Sequence, residues 1–320
     1  MTNIFDGLIG AIDKYLAKAD DDLTDEFSDE GRAYPEDTVD AINELEDEIA
    51  DALVLETKYF VKEIRKRKTI SELLDVLEEI KAKDAYCDRI RDAVSKQLRK
   101  LIPRFTEYYI QEIDNELTVT KVSARTIAWI DDWSTELANL MKLTSTTQIE
   151  NILKQGLAND MSVEEVARTI QDGGIRNEHY RARTTSLTEM LRAHNVSRWE
   201  ADMQNPSVTE HKWRHTGAHK NEPRENHVEM DGQTVPKGTP FTLIGADGAT
   251  YYPLYPVDPI LPPEESINCH CISQAIVDED ILVLPLAERE QLQQQAIDDM
   301  DDEWEKELDA RNRARAGIEE

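Results

Sequence analysis

KWRHTGAHKNEPRENHVEMDGQTVPKGTPF, residues 212–241, is where the text of this chain changes character. Everything upstream reads as helix; from here on Gly and Pro become frequent and the segments shorten. Thr209 to Thr216 alternates polar and apolar residues in the strand manner, with Trp213 central. Asp231-Gly232 reads as a turn, Gly accepting positive φ and Asp bonding its own backbone. Gly232 to Val235, Phe241 to Ile244 and Cys271 to Val277 are further strand candidates. Between them Pro253, Pro256, Pro259, Pro262 and Pro263 argue for a loop without regular pairing. A long basic-and-polar helix, Asn177 to Met203, leads into this region. Together these describe a small α+β module with short antiparallel strands over about residues 209–277.

Upstream of that helix the apolar residues follow a helical period. Val39, Ile42, Leu45, Ile49 and Leu53 step by three and four through a helix expected from Glu36 to Phe60, after Pro35. Thr69 with Glu72, and Ser162 with Glu165, have the spacing of capping boxes. The first opens a helix expected to run to about Leu101, where Pro103 interrupts. Further helices are expected over Phe105–Leu117, Ser123–Leu143 (with Ile127, Ile130, Leu137 and Leu140 inward) and Gln148–Leu157. The one opened by Ser162 stops at Gly173-Gly174. The expected fold is therefore mostly α with a small α+β C-terminal module. It divides into an acidic N-terminal arm (1–35), an α-helical domain (36–175), the module (176–277) and an acidic helical tail (278–320), with a frayed helix from Leu286 to Arg315.

The 320 residues carry 66 acidic and 37 basic side chains, a formal charge of −29. Residues 1–60 hold 18 acidic and 4 basic residues and residues 278–320 hold 15 and 5, so the ends are acidic around a nearly balanced body. That balance argues against coating nucleic acid or anionic lipid. Most of both arms reads as solvated surface, with docking on a basic partner as the sharper alternative. No run of about 20 apolar residues suits a membrane span, and Met1 to Gly10 lacks a basic n-region. Three cysteines, Cys87, Cys269 and Cys271, fit a reducing compartment rather than a disulfide scaffold.

The chemistry is concentrated in the stretch ending Asn268-Cys269-His270-Cys271. In an extended chain residues two apart face the same way, so Cys269 and Cys271 present two sulfurs together. Two thiolates are half of a tetrahedral zinc site; His227 is the third ligand, and Asp231 or His215 the fourth. The spacing lacks the paired C-x₂₋₄-C and H-x₃₋₅-H signature of the common zinc sites. The alternative is two thiols packed as small hydrophobes, with His227 hydrogen-bonded to a turn. Trp213 and Phe241 read as core. Arg183, Arg192 and Arg198 reach either a partner's carboxylates or DNA phosphates, or pair with Glu189, Glu200 and Asp202 on neighbouring turns. On the tail, Trp304 and Leu308 share a helical face as a possible anchor.

The order of these residues resembles the phage head-morphogenesis family, the minor head proteins similar to the F protein of phage Mu. The matching positions are Trp213, Thr216, Arg224, His227, Asp231, Gly232, Phe241, Asp258, Pro259, Asn268, Cys269 and Cys271. The upstream helix is similar at Arg183, Thr188, Glu189 and Asn195. The resemblance covers about Asn177 to Val277. It departs at His270, where Arg is more usual, and at the insert His219-Lys220-Asn221-Glu222, which stretches the spacing to Arg224.

The resemblance implies a structural minor head protein in the virion, at the capsid interior or portal vertex. It would be made in the host cytoplasm and incorporated in a few copies during head assembly, with effects on DNA packaging or ejection. Its implied partners are the portal protein and the inner capsid surface, with possible contact to packaged DNA. No H-E-x-x-H, G-x-S-x-G or P-loop is present, and the expectation is a protein without catalysis, its only cofactor a structural zinc. The competing class is a metal-dependent nuclease or hydrolase built on His227, Asp231, Cys269 and Cys271, which the net charge opposes.

Overall fold

A computed structural model describes residues 19–83, 85–174, 178–216 and 223–315. The first 18 residues of the N-terminal arm, Asn177, the insert His219–Glu222 and the last five residues lie outside them. The fold is mostly α with a small α+β module. In chain order the elements are α1 (residues 19–29), α2 (Pro35–Ile64), α3 (Ile70–Ala82), α4 (Tyr86–Ile113), α5 (Ala124–Ala158), α6 (Val163–Thr169) with a π turn at Ile170–Gly174, and α7 (Glu178–Gln204). The module adds β1 (Val208–Arg214), α8 (Glu225–Met230), β2 (Thr234–Pro236), β3 (Leu243–Ile244), β4 (Thr250–Tyr251), α9 (Pro263–Ser266) and β5 (Ile272–Val277). The chain closes with α10 (Glu279–Leu282) and α11 (Leu286–Arg315).

These elements gather into two compact units, each discontinuous in sequence. One comprises residues 1–42, 101–126 and 190–320, the other residues 43–100 and 127–189.

In the second unit, Phe60, Ile64, Leu73, Leu77, Ile149, Leu153 and Val166 form one apolar cluster. The helices that supply it start where the sequence says. Thr69 accepts from the Glu72 N–H at 3.2 Å, although Glu72 answers to the Lys68 N–H rather than closing the box on Thr69. Ser162 and Glu165 form the full reciprocal box. Two expectations fail here. The helices expected to end at Leu143 and restart at Gln148 are one, α5. Thr144, Ser145 and Thr146 return their hydroxyls to the carbonyls of Leu140, Met141 and Lys142, so the polar run is accommodated inside the helix. Leu140, expected inward, is exposed. The polar side chains of the unit are paired: Trp133 Nε1 donates to Glu189 at 2.7 Å, Arg181 to Ser145 Oγ and the Met141 carbonyl, and Arg183 to Asn43 and Glu46.

A further correction concerns Pro103, which lies inside α4 and does not interrupt it. Pro103 and Arg99 are both exposed, so the carbonyl deprived of its partner faces water. In the first unit, buried His194 is held between the Tyr109 hydroxyl at Nδ1 (2.9 Å) and Thr38 Oγ1 at Nε2 (3.0 Å), and stacks on Phe105. Tyr109 accepts from the Ala33 N–H, so its own proton is directed at His194. The ring is neutral there; burial, helped by Arg32 and Arg198, keeps its pKa well below the usual value. Buried Glu200 accepts from the Ser123 N–H, the Ser123 and Thr126 hydroxyls and Gln204, and so closes the start of α5.

The tail is not a frayed appendage. α11 buries Arg289, Gln293, Ile297, Met300 and Trp304, a stripe at steps of three and four. Arg289 pairs with Asp114 and Glu116, Gln293 donates to the Thr118 carbonyl, and Asp301 accepts from Lys121 and the Ala124 N–H. Leu308, expected to share the Trp304 anchor, is exposed.

Candidate functional site

The module is organised by a three-stranded antiparallel sheet in the order β2-β1-β5, with His211 opposite Val235 and Ala275, and Trp213 opposite Ser273. A bulge lies between Val208 and Glu210. β3 and β4 form a separate two-residue hairpin; β4 carried no strand signal because Thr250–Tyr251 is too short to show alternation. Trp213 is fully buried and meets Phe241 and His227 edge-on, at ring distances of 5.4 and 5.9 Å. Met230, Leu243, Val257, Leu261, Cys269 and Cys271 complete this core.

Cys269 and Cys271 do not lie in a strand as expected. They occupy the irregular stretch between α9 and β5, yet their sulfurs still converge. His227 Nδ1 is 3.4 Å from Cys269 Sγ and 3.6 Å from Cys271 Sγ. The three ligand atoms lie within 4.8 Å of one another and all three residues are buried. His215 Nδ1 lies 3.7 Å from Cys271 Sγ on the more open side. The structure thus brings His227, Cys269 and Cys271 together; of the two residues offered as a fourth ligand, His215 approaches Cys271 and Asp231 does not join the group.

Asp231 has a different place. Its Oδ1 accepts from the His215 backbone N–H at 3.0 Å, with Arg214 Nε 3.5 Å away. It caps α8, and the Gly232 that follows has φ +86°, a conformation for which Gly is suited. Gly232 N–H donates to the Trp213 carbonyl and Trp213 N–H to the Gln233 carbonyl, which ties this turn to β1.

One residue was missed altogether. Glu265, buried on α9, accepts at Oε2 from His227 Nε2 (2.8 Å) and Asn226 Nδ2 (3.0 Å), and at Oε1 from the Ala246 N–H (2.7 Å). Its only signal in the sequence is an acidic residue on a one-turn helix after Pro262-Pro263, four positions before Cys269. Burial works against the carboxylate, but Ala246, Asn226 and His227 leave its pKa lowered. Burial likewise works against a charged His227, and Cys269 and Glu265 more than offset it, so its pKa is raised. Cys269 is pulled well below the ordinary thiol range by the hydrogen bond from Cys271 and by His227, and Cys271 is pushed up by the same bond and by burial. Of the two thiols, Cys269 is the readier thiolate.

The other motif residues hold the backbone around this cluster. Arg224 donates to the carbonyls of Glu264 and Ile267, both at 2.7 Å, fastening the start of α8 to α9. Asn268 has φ +54°, the left-handed turn that delivers Cys269. Asp258 accepts from the Leu254 and Ile260 N–H groups, and Arg192 Nε donates to the Val257 carbonyl at 2.9 Å. Asn195 donates to the Cys271 carbonyl and Thr216 to that of His270. His270, standing where Arg is more usual, meets Glu26 of α1 at 3.3 Å and Glu30, just past its end, at 2.8 Å, and Arg32 donates to its carbonyl. Arg198 contacts Glu112 and the Gly31 carbonyl and lies over the Tyr109 ring, rather than pairing with its own helix. No described helix is long and apolar enough to cross a membrane.

Comparison with known proteins agrees with this geometry. The model of the "phage Mu protein F like protein" family matches residues 147–274, which includes β1, β2, the cysteine–histidine cluster and the first half of β5. The chain is also 30% identical over 308 residues to the uncharacterized protein YqbB of Bacillus subtilis (strain 168), an alignment covering 93% of this chain and 100% of that one. No solved structure matches. With the family's residues placed as above and a relative aligned along its full length, the chain belongs to the phage Mu protein F-like family of phage head morphogenesis proteins.

Proposed function

We propose that the chain is a non-catalytic minor head protein of a tailed phage, bound to the portal or the inner capsid wall during head assembly and influencing packaging or ejection of DNA. The observation that carries this reading is how the motif side chains are used. Arg224, Asp231, Asp258 and Asn195 are engaged with backbone groups of the module itself, and Trp213 and Phe241 are buried. A signature used in this way specifies a rigid fold rather than a reactive site. The cluster supports the same reading. His227 and both cysteines are buried, and Glu265, the nearby carboxylate, already serves three donors and is not available as a general base. A net charge of −29 also disfavours a phosphate-binding groove. The acidic surfaces of α2 and α11 are the faces we assign to basic regions of the partner.

The test is co-expression of the full chain with portal and capsid proteins, followed by sedimentation of the particles. Retention of a few copies per particle and co-sedimentation with isolated portal oligomers is expected. A chain absent from both fractions would overturn the assembly reading. Plasmid cleavage with added divalent metal, abolished by His227→Ala, would put a nuclease in its place.

A further inference from the structure

We propose that His227, Cys269 and Cys271 form the preassembled part of a structural zinc site, which His215, beside Cys271, closes as fourth ligand when the ion binds, with Glu265 orienting His227 from behind. The proposal stands on side-chain geometry and is independent of the head-assembly reading.

With Zn–S near 2.3 Å and Zn–N near 2.0 Å, a tetrahedral centre sets neighbouring sulfur and nitrogen ligands roughly 3.5 Å apart. The three pairs observed are 3.4 Å (His227–Cys269), 3.6 Å (His227–Cys271) and 3.7 Å (His215–Cys271). The His227, Cys269 and Cys271 atoms lie within 4.8 Å of one another, close to the edge lengths a shared ion would set; His215 stands at that length from Cys271 but outside this group of three, so it would swing inward to complete the tetrahedron.

His227 is also supported from behind. Its Nε2 is engaged by Glu265, which is itself fixed by Asn226 and the Ala246 N–H. A proton on Nε2 toward that carboxylate leaves Nδ1 with its lone pair facing the two sulfurs, the tautomer a metal ligand needs. Carboxylate–histidine pairs of this kind accompany most histidine ligands. Two thiols packed merely as small hydrophobes would need no such arrangement.

The donor set selects the metal. Two sulfurs and two imidazoles suit zinc and are poor ligands for magnesium or calcium. His215 decides between a structural and a catalytic ion, because three protein ligands would leave a position open for water and four do not. Its backbone is held by Asp231, which gives that motif residue its role. His215 also lines a cavity of about 550 Å³ whose wall includes Asp29, Glu30 and Glu112 beside Arg198 and Arg214, which provides a route by which the ion enters. Loading releases the remaining thiol protons to solvent. The ion would then join the end of β1, α8 and the approach to β5 at one point.

The experiment uses the full chain, purified without chelator and analysed for metal. About one zinc per chain is expected, with none in Cys269→Ser/Cys271→Ser. Chelator competition should show Glu265→Gln holding zinc roughly 10–100-fold more weakly than the parent, and His215→Ala also weakened. In case a variant fails to fold, the parent is loaded with Co²⁺ instead. Thiolate-to-cobalt charge transfer and tetrahedral ligand-field bands support the site. A folded parent that takes up no stoichiometric zinc, or binds cobalt without those bands, overturns the proposal. So does a double-serine variant that keeps its zinc. A folded His215→Ala chain with parental affinity overturns the four-ligand closure.

Discussion

In the second unit, Phe60, Ile64, Leu73 and Leu77 meet Ile149, Leu153 and Val166 in a cluster with no buried charge among them. Around Cys269 the buried set is Trp213, Met230, Phe241, Leu243, Val257 and Leu261, and α8 and α9 are only six and four residues long. The helical cluster is held by area removed from water. The module has short elements and irregular connections, and is held by side chains that bond one or two particular backbone groups each: Arg224, Asp231, Asp258 and Asn195. The first arrangement tolerates exchange of one apolar residue for another. The second depends on particular donors at particular carbonyls, which is why its sequence carries a recognisable signature.

Truncation in the helical cluster should give the largest effect. Phe60 is fully buried, and Phe60→Ala removes a ring from close packing and leaves a cavity. A loss of about 3–5 kcal/mol is expected in denaturant unfolding, whereas Phe60→Leu should lose less than half of that. Equal losses for the two variants would show that shape, and not area, holds this unit.

The next effect depends on pH and belongs to the first unit. Asp202 is fully buried on α7, its Oδ2 is 3.4 Å from His211 Nε2, and neither carboxylate oxygen has a hydrogen-bond partner among the described residues. Burial pushes its pKa up to about 7, with Arg198 and Lys237 pulling it back and Glu112 adding to the rise. Burial likewise takes Lys237 down to about 8 and His211 to about 4. The ordinary Asp value is 3.8, so between pH 4 and pH 7 the folded chain keeps a proton that the unfolded chain gives up. Asp202 alone therefore makes stability fall as pH rises through that window, while His211, lowered from 6.5 to about 4, gives the opposite slope up to about pH 6.5, so the net decline is concentrated near pH 6.5–7. Asp202→Asn should flatten the decline and stabilise the chain at pH 7.5 by on the order of 2–4 kcal/mol. Unfolding midpoints at pH 5 and 7.5 measure it; a variant destabilised equally at both would show that the carboxylate is an integral partner.

How far the two regions could be read beforehand follows from the same contrast. Val39, Ile42, Leu45, Ile49 and Leu53 were legible as one helical face, and all five are buried. Periodicity failed where a polar run or a proline was carried through a helix by local compensation, at Thr144–Thr146 and at Pro103. In the module the same rules located Cys269, Cys271 and His227 but not the support behind them. Glu265 reaches His227 across a chain separation of 38 residues, and His215 rather than Asp231 stands beside Cys271, because Asp231 is spent on the His215 backbone. Nothing in spacing encodes either. The docking of His270 on Glu26 and Glu30 was equally silent, since the acidic arm gave only charge and no address.

A glycine tests the close packing of the helical unit. A Cβ on Gly156 in α5 would stand 2.6 Å from Val166 Cγ2 and 3.2 Å from Ile70 Cδ1. Gly156→Ala normally favours a helix, but here overpacking should dominate and cost about 1–3 kcal/mol. Pairing it with Val166→Ala should recover part of that, which thermal unfolding of the single and double variants would measure. Simple additivity would place the clash elsewhere.

The smallest expected effect belongs to the module and concerns a backbone turn. Asn268 sits at φ +54°, in the left-handed region, directly before Cys269. Asn tolerates that region better than other non-glycine residues, and Gly tolerates it best. Asn268→Ala should therefore cost about 1 kcal/mol, and Asn268→Gly should sit close to the parent, its greater unfolded entropy offset by relief of strain. A metal affinity measured on the same pair sharpens the contrast with the helical unit. If Asn268 acts by delivering Cys269, the alanine variant should weaken zinc retention and the glycine variant restore it. If both variants bind zinc as the parent does, the turn contributes to the fold and not to the cluster.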